Sequence, residues 1–217
     1  MLFMCSYSSL AADYILDHER FGDTLIADGL FDAYQRYRTL LSILVLEQPD
    51  KQLVLKSPEH LWFLPALLQT FPDARVIWTH RDPARALPSY SAQISLPVRQ
   101  HRGRVDPLAI GRRVLSRFEQ GVSLGEQACD AHPDAKIVHV RYPDLVRDPV
   151  EAVRSTYEQL ELEPTAEHLQ AMRTFLRRPQ KDRHRHSYSA EAFGFSEPMV
   201  RERFAHYMER FQLEPER

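Results

Sequence analysis

The chain of 217 residues has little cysteine. Its two cysteines, Cys5 and Cys129, are too few for a disulfide framework or a cysteine-rich zinc site. No apolar run approaches the roughly 18–20 residues that are needed to span a bilayer, and the first residues lack the positive charge that begins a signal peptide. We therefore predict a cytoplasmic protein without a membrane span, in a compartment that keeps thiols reduced.

Glycine is also scarce, since the chain contains only seven. None of them falls in a GxxxxGKS/T or GxGxxG pattern, which excludes a complete glycine-rich nucleotide loop from this sequence. The ten histidines are scattered, without an HExxH pattern or another metal-ligand spacing. No metal site is predicted.

The charges are nearly balanced, with 28 basic and 30 acidic residues. A net charge of −2 gives no overall attraction for nucleic acid or acidic lipid, so no nucleic-acid partner is predicted from charge. Only four of the basic residues are lysines, and a lysine in an apolar setting therefore stands out. With 43% apolar residues, a chain of this length can bury a core, and we expect one domain over residues 1–217.

Three short apolar runs predict β-strands at residues 52–56, 75–80 and 136–140. The predicted helices cover residues 7–18, 30–47, 58–71, 107–131, 149–160, 164–177 and 197–211, with a further helix opening at Asp82-Pro83 and capped by Asp82. Residues 23–28 read as a connection. Strands that alternate with helices of ten or more residues predict an α/β fold with a parallel sheet.

Each predicted strand ends in a cation beside a hydroxyl or an imidazole. The three ends are Lys56 before Ser57, His80 before Arg81, and Arg141 before Tyr142. Because ligands of open parallel sheets bind beyond the carboxyl ends of the strands, these ends predict an anion site at one shared edge.

Lys56 follows an apolar run directly and precedes a helix start, where backbone amides and the ammonium both favour an anion. A lysine that merely extends from a strand end into solvent is the alternative. His60 lies four residues further on, and a histidine near an anion site can serve as a general base. The alternative for His60 is a packing or surface role.

Arg81 and Ser89 are the next candidates, since an arginine fork and a hydroxyl on the following helix can flank one phosphate. The alternative for Arg81 is an ion pair with Asp82 or another neighbouring acid. Residues 173–186 form the one dense basic run. That run is open to three interpretations: a solvated loop, a nucleic-acid patch, or an arm that folds over a polyphosphate ligand.

Four segments together resemble the bacterial sulfotransferases that use 3′-phosphoadenosine 5′-phosphosulfate (PAPS). The segments are LKSPEHL at 55–61, FPDARVIWTHRDP at 71–83 followed by Ser89, VRYPDL at 140–145, and RHSYSAEAFG at 185–194. The resemblance runs from about residue 30 to the C-terminus. It implies a three-layer α/β fold related to the P-loop NTPases, in which helices flank a parallel sheet.

The resemblance also implies roles for individual residues. Lys56 matches the lysine at the transferring sulfuryl group, and His60 matches the histidine that would act as base. The residues implied around the adenosine and its 3′-phosphate are Arg81, Ser89, Tyr142, Lys181, Arg183 and Arg185. The implied reaction transfers a sulfuryl group from PAPS to a hydroxyl or amine of a small-molecule or glycan acceptor, with 3′,5′-ADP as the product and no metal.

The family opens with a strand, a phosphosulfate-binding loop and a helix, and this sequence starts downstream of that unit, which implies an N-terminally truncated domain. An unfilled sheet edge would favour self-association, so a homo-oligomer is a further expectation. The alternative to an active transferase is a partial sulfotransferase-like protein that keeps the 3′-phosphate half-site and acts as a binding module.

Overall fold

The computed structural model describes residues 9–16, 18–48, 52–178 and 189–216. It has an α/β fold and divides into two compact units. The first unit draws on residues 1–74 and 90–135, and the second on residues 75–89 and 136–217. Within the described ranges, no helix combines the length and apolarity that crossing a bilayer requires.

The first unit is helical. Its elements are α1 (Ala11–Leu16), α2 (Glu19–Asp28), α3 (Phe31–Leu44), a 3₁₀ helix (Pro58–Leu61), α4 (Leu64–Thr70), the later part of α5 (Pro83–Arg102) and α6 (Pro107–Ala131). The long helix α6 has the predicted bounds because Asp106 caps it through the N–H groups of Leu108 and Ala109, and Pro107 fits its first turn.

Trp62 lies at the centre of the first unit's core. Its indole Nε1 donates to the main-chain oxygen of Arg117 at 3.1 Å, and its ring meets Phe118 edge to face with centroids 5.7 Å apart. The indole lies flat against α6 at Gly121, where a side chain would occupy the same space. The glycine is therefore part of the packing that joins the 3₁₀ segment to α6.

A buried arginine joins three helices of the same unit. Arg117 of α6 donates from Nε to Asp13 Oδ2 of α1 at 3.0 Å, and from Nη1 to Asp23 Oδ1 of α2 at 2.6 Å. Asp13 is fully buried, so loss of its arginine partner would leave an uncompensated charge in the core. This ion-pair network sets the positions of α1 and α2 against α6.

The second unit holds the sheet. Its elements are β1 (Val76–His80), the start of α5, β2 (Ile137–Arg141), α7 (Tyr142–Arg147), α8 (Pro149–Gln159), α9 (Ala166–Arg177), a second 3₁₀ helix (Glu191–Phe193), α10 (Glu197–Arg203) and α11 (Ala205–Arg210). The strands β1 and β2 pair in parallel, with Val76 opposite Ile137 and His80 opposite Arg141. The parallel α/β architecture and these two strands are confirmed.

The first predicted strand is wrong. Residues 52–57 are extended, but the sheet in the described part of the chain consists of β1 and β2 only. The side chain of Val54 is 88% exposed, and Leu53 and Leu55 are exposed as well. An apolar run becomes a strand only when a neighbouring strand takes up its backbone hydrogen bonds, and this run lacks such a neighbour among the described residues.

Several helix boundaries also differ from the expectation. The predicted helix over residues 58–71 is instead a 3₁₀ helix (Pro58–Leu61) followed by α4 (Leu64–Thr70). Residues 23–28, predicted as a connection, continue α2, because Leu25 and Ile26 pack on the core and the helix ends only at Gly29 with a φ of 69°. The predicted final helix starts after Ser196, whose hydroxyl accepts from the Met199 N–H, but it breaks at Phe204 into α10 and α11.

We predict that Gly121→Ala destabilises the protein by about 1–3 kcal/mol, because the added methyl overpacks the core. A Cβ at this position would lie 2.5 Å from Trp62 Cζ2, and the indole is held by its hydrogen bond to Arg117 and its contact with Phe118. Urea unfolding measures the change. The exposed residue Gln127 of the same helix provides the control, and Gln127→Ala is expected to stay within about 0.5 kcal/mol of the wild type. Equal stability of the two variants would contradict the packing role of Gly121.

Candidate functional site

Lys56 lies in the first unit, in the extended and exposed segment immediately before the 3₁₀ helix Pro58–Leu61. Ser57 caps that helix, with its Oγ accepting from the Glu59 N–H at 3.3 Å. The lysine therefore stands at a helix start, as the sequence predicts, although the helix is a single short turn and the segment before it is not a strand.

His60 lies on that turn and is half-buried against two tyrosines of α3. Its Nδ1 is 2.7 Å from the Tyr34 hydroxyl, and its ring centroid is 6.3 Å from that of Tyr37. Burial lowers the pKa of His60 to about 4, and burial raises the pKa of Tyr34. At neutral pH the pair therefore consists of a neutral imidazole and a protonated phenol.

The carboxylate of Glu59 anchors the same turn. It accepts from the Ser9 hydroxyl at 2.7 Å and from the backbone N–H groups of Leu10 and Ala11 at 3.2 Å. These contacts satisfy amides at the start of α1 and hold the 3₁₀ helix against it. Glu59 thus positions its neighbour His60, a role that the sequence pattern did not indicate.

Arg81 follows β1 in the second unit and makes a two-point contact with a carboxylate. Its Nε and Nη2 donate to Glu216 at 2.9–3.1 Å. Its Cζ lies 4.2 Å from the centroid of the Tyr142 ring, which begins the helix after β2. The ends of the two parallel strands therefore bring Arg81 and Tyr142 together, and the resulting guanidinium–aromatic pair faces an anion.

Asp82 connects three parts of the second unit at the end of β1. It is almost fully buried, and its Oδ1 caps α5 by accepting from the Ala84 N–H at 2.9 Å. Its Oδ2 accepts from Arg201 Nη2 at 2.8 Å and from the Glu216 N–H at 2.9 Å. Burial alone would raise the pKa of Asp82, but the hydrogen bonds from Arg201, Glu216 and Ala84 outweigh it and hold the pKa below its usual value.

Two further arginines contact Glu216. Arg85 Nη2 and Arg201 Nη2 donate to the main-chain oxygen of Glu216 at 3.1 and 3.2 Å. We call Arg81, Arg85 and Arg201 the arginine cluster. Sequence reasoning missed Arg85 and Arg201. The position of Arg85 on the first turn of the helix that follows Arg81 could have indicated the former, whereas no local pattern indicates Arg201.

A buried histidine precedes Arg81. His80 Nδ1 is 3.0 Å from the Tyr207 hydroxyl of α11, and its Nε2 is 2.8 Å from Nδ1 of His139 on β2. The ring also stacks on Phe211 with centroids 3.9 Å apart. Burial, and then the neighbouring His139, lowers the pKa of His80 to about 3. This neutral chain of rings ties α11 to the sheet.

The remaining predicted site residues are not part of the Arg81–Tyr142 pair. Ser89 is exposed on α5, in the part of that helix that belongs to the second unit. Lys181, Arg183 and Arg185 lie outside the described residues. In the described ranges, no group of three or more histidine, cysteine or acidic side chains could hold a metal ion.

A family model described as "Sulfotransferase family" matches residues 10–167, which include both strand ends and the Lys56–His60 turn. The chain belongs to the sulfotransferase family. Two solved sulfotransferases share the fold: STF1 from Mycobacterium tuberculosis, with a TM-score of 0.83 and 29% identity over 94% of this chain, and STF9 from Mycobacterium avium, with a TM-score of 0.84 and 28% identity over 96% of it.

Among curated proteins, the chain is similar to omega-hydroxy-beta-dihydromenaquinone-9 sulfotransferase Stf3 from Mycobacterium bovis. The two are 27% identical over 128 residues, or 58% of this chain. Stf3 from Mycobacterium tuberculosis matches with the same identity and coverage. The aligned part spans 33% of the length of Stf3, and the matches to STF1 and STF9 cover 53% and 54% of those chains.

We predict that the protein loses stability on acidification from about pH 6.5 toward pH 4, with His80 contributing one part of the loss and His60 another. The folded-state pKa of His60, about 4, lies below the ordinary value of 6.5, so the unfolded chain takes up the proton first and stability rises with pH across this window. The contribution of one such histidine is on the order of 3 kcal/mol. Urea unfolding at pH 8, 6 and 5 should show a smaller loss in His60→Gln than in the wild type. Parallel losses in the two proteins would contradict the buried, neutral state of His60.

Proposed function

We propose that this chain transfers a sulfuryl group from PAPS to a hydroxyl or amine of an acceptor and releases 3′,5′-ADP. The observation that carries the proposal is the two-point contact of Arg81 with a carboxylate beside the Tyr142 ring, in a chain of the sulfotransferase family. Guanidinium groups bind phosphate oxygens in the same paired geometry, so these side chains fit the 3′-phosphate of an adenosine nucleotide.

The proposed nucleotide contacts come from residues at and after the ends of β1 and β2. Arg81 would bind the 3′-phosphate, with Ser89 as a second donor, and Tyr142 would contact the nucleotide beside the guanidinium. Lys181, Arg183 and Arg185 are proposed as further cations for the same phosphate. The capping of α5 by Asp82 supports the proposal, because it fixes the backbone on which Arg81 stands.

The proposed transfer step uses Lys56 and His60. PAPS, when bound, supplies the sulfuryl group that passes to the acceptor. The ammonium of Lys56 would neutralise the negative charge that develops on the bridging oxygen as the sulfur–oxygen bond breaks, which is the kind of electrostatic stabilisation that lowers a barrier most. The exposure of Lys56 is consistent with a group that meets a ligand rather than the core.

His60 would take the proton of the attacking acceptor. Of its two neutral tautomers, the one that donates from Nδ1 to the Tyr34 oxygen carries its lone pair at Nε2, and this is the state that a general base requires. The lowered pKa keeps the imidazole unprotonated at neutral pH. Tyr34 would act as a positioning residue for this step by accepting from Nδ1 and so leaving the lone pair at Nε2.

The acceptor class is proposed as a small molecule that presents a hydroxyl. The support comes from the curated relatives, whose name specifies an omega-hydroxy compound. A nucleic-acid partner has no support in the near-neutral charge of the chain.

We expect Lys56→Ala to lower kcat by roughly 10²–10³-fold, by analogy with the removal of one preorganised donor to a developing oxyanion. Single-turnover transfer of labelled sulfate from PAPS measures the rate, and calorimetry with 3′,5′-ADP should show little change in affinity. The control is Lys136→Ala, which removes an exposed lysine paired with Glu161. An unchanged rate in Lys56→Ala would exclude this lysine from the transfer step.

We expect Arg81→Ala to weaken 3′,5′-ADP binding by about 10-fold or more, because a charge-assisted, two-point contact is lost. Arg112→Ala, which removes an exposed arginine of α6, serves as the matched control and should bind like the wild type. Equal affinity of the Arg81 variant and the wild type for 3′,5′-ADP would refute the assignment of the phosphate site.

A further inference from the structure

The guanidinium proposed to bind the 3′-phosphate already holds an anion that belongs to the chain itself. The Glu216 carboxylate accepts from Arg81 Nε and Nη2, so both donors that a phosphate would use are engaged. The side chain of Arg81 stays 37% exposed, whereas that of Glu216 is 19% exposed. An anion that approaches Arg81 from solvent therefore finds the guanidinium already bound to the Glu216 carboxylate.

The contact is built into the fold through the backbone of the C-terminal segment, residues 213–216. The Glu216 N–H donates to the buried carboxylate of Asp82 at 2.9 Å, and its main-chain oxygen accepts from Arg85 and Arg201. These contacts use both backbone polar groups of one residue. They fix Glu216 independently of its own side chain.

The helix before the segment is anchored as well. Tyr207 of α11 contacts His80, and Phe211 stacks on the same imidazole. Gln212 adopts a left-handed conformation with a φ of 52°, which turns the chain so that the Leu213 N–H donates to the Met208 oxygen and Leu213 is buried. This turn directs the following residues toward the end of β1.

The other arginines of the cluster have acid partners apart from Glu216. Arg85 pairs with Glu197 at 2.9 Å, and Arg201 pairs with Asp82 at 2.8 Å. For Arg81, the ion pair that the structure gives within the described ranges is the one with Glu216. Release of the Glu216 side chain would leave Arg85 and Arg201 paired and would open the two donors of Arg81.

We propose that the C-terminal segment is an internal competitor for the anion site, with the Glu216 carboxylate occupying the place of the nucleotide's 3′-phosphate on Arg81. The inference rests on the proposed function. The ligand must displace the carboxylate before it gains the guanidinium, so its apparent affinity is reduced by the fraction of molecules in which Glu216 is bound. A partly exposed pair of this kind is worth up to about 1 kcal/mol, or about 5-fold in affinity.

The test compares the binding of 3′,5′-ADP to the wild type, Glu216→Gln and Glu214→Gln by titration calorimetry at low salt. Glu216→Gln keeps the size of the side chain and removes its charge, and about 5-fold tighter binding is expected. Glu214 is exposed in the same segment, and Glu214→Gln removes the same charge two residues earlier. Glu214→Gln is expected to bind 3′,5′-ADP with the affinity of the wild type. A general effect of net charge would instead tighten binding in both variants.

NMR of the side-chain carboxyl carbons of the wild type provides a second measurement. Saturation with 3′,5′-ADP should shift the carboxyl resonance of Glu216, which is assigned by its absence in Glu216→Gln, because the carboxylate leaves the Arg81 guanidinium. Equal affinities of the wild type and Glu216→Gln, or an unchanged Glu216 resonance at saturation, would overturn the inference while leaving the proposed function intact. Failure of the wild type and Glu216→Gln alike to bind 3′,5′-ADP would overturn both.

Discussion

One buried carboxylate organises the strand-to-helix junction of the second unit. Asp82 gives one oxygen to the start of α5 and the other to Arg201 and to the backbone of Glu216. A buried carboxylate is stable only when its oxygens are hydrogen-bonded or paired, and here both are. Arg81 precedes Asp82 directly, so the direction of its guanidinium depends on this junction. Loss of the carboxylate would release the helix cap, the C-terminal segment and an arginine of the cluster at once.

The parts of this arrangement that could be predicted from the sequence are the local ones. The apolar run before His80 and the Asp82-Pro83 pair indicate a strand that passes into a capped helix, and the structure has both within a residue of the predicted bounds. The partners of Arg81 and Asp82 could not be predicted. Glu216 lies 135 residues from Arg81, and Arg201 lies 119 residues from Asp82. An ion pair between residues so far apart leaves no periodic pattern in the sequence, because many acids and arginines along the chain are equally plausible partners.

The failure at residues 52–56 has a different cause. The pattern of three apolar residues before Lys56 is typical of a buried strand, but strand formation depends on a neighbour that the pattern does not contain. In the described part of the chain the segment is extended and exposed. The sequence thus predicted correctly that the backbone before Lys56 is extended, but the burial that the apolar pattern indicates is wrong. The hydrogen bond between His60 and Tyr34 could not be predicted either. Tyr34 fits the pattern of an apolar core position along α3, and that pattern does not indicate what its hydroxyl contacts.

Arg81 forms an ion pair, although its acid is the distant Glu216 rather than Asp82 or another neighbour in sequence, and the phosphate site stays a proposal. The shape of that pair is also the shape in which a guanidinium binds a phosphate. The two readings are compatible because a carboxylate and a phosphate present similar pairs of oxygens to the same donors. A ligand site differs from a purely structural ion pair in that the side chains around it keep their contacts when the acid is displaced. Arg85 also pairs with Glu197, Arg201 also pairs with Asp82, and Tyr142 contacts the guanidinium itself, so the proposed exchange would replace only the anion on Arg81.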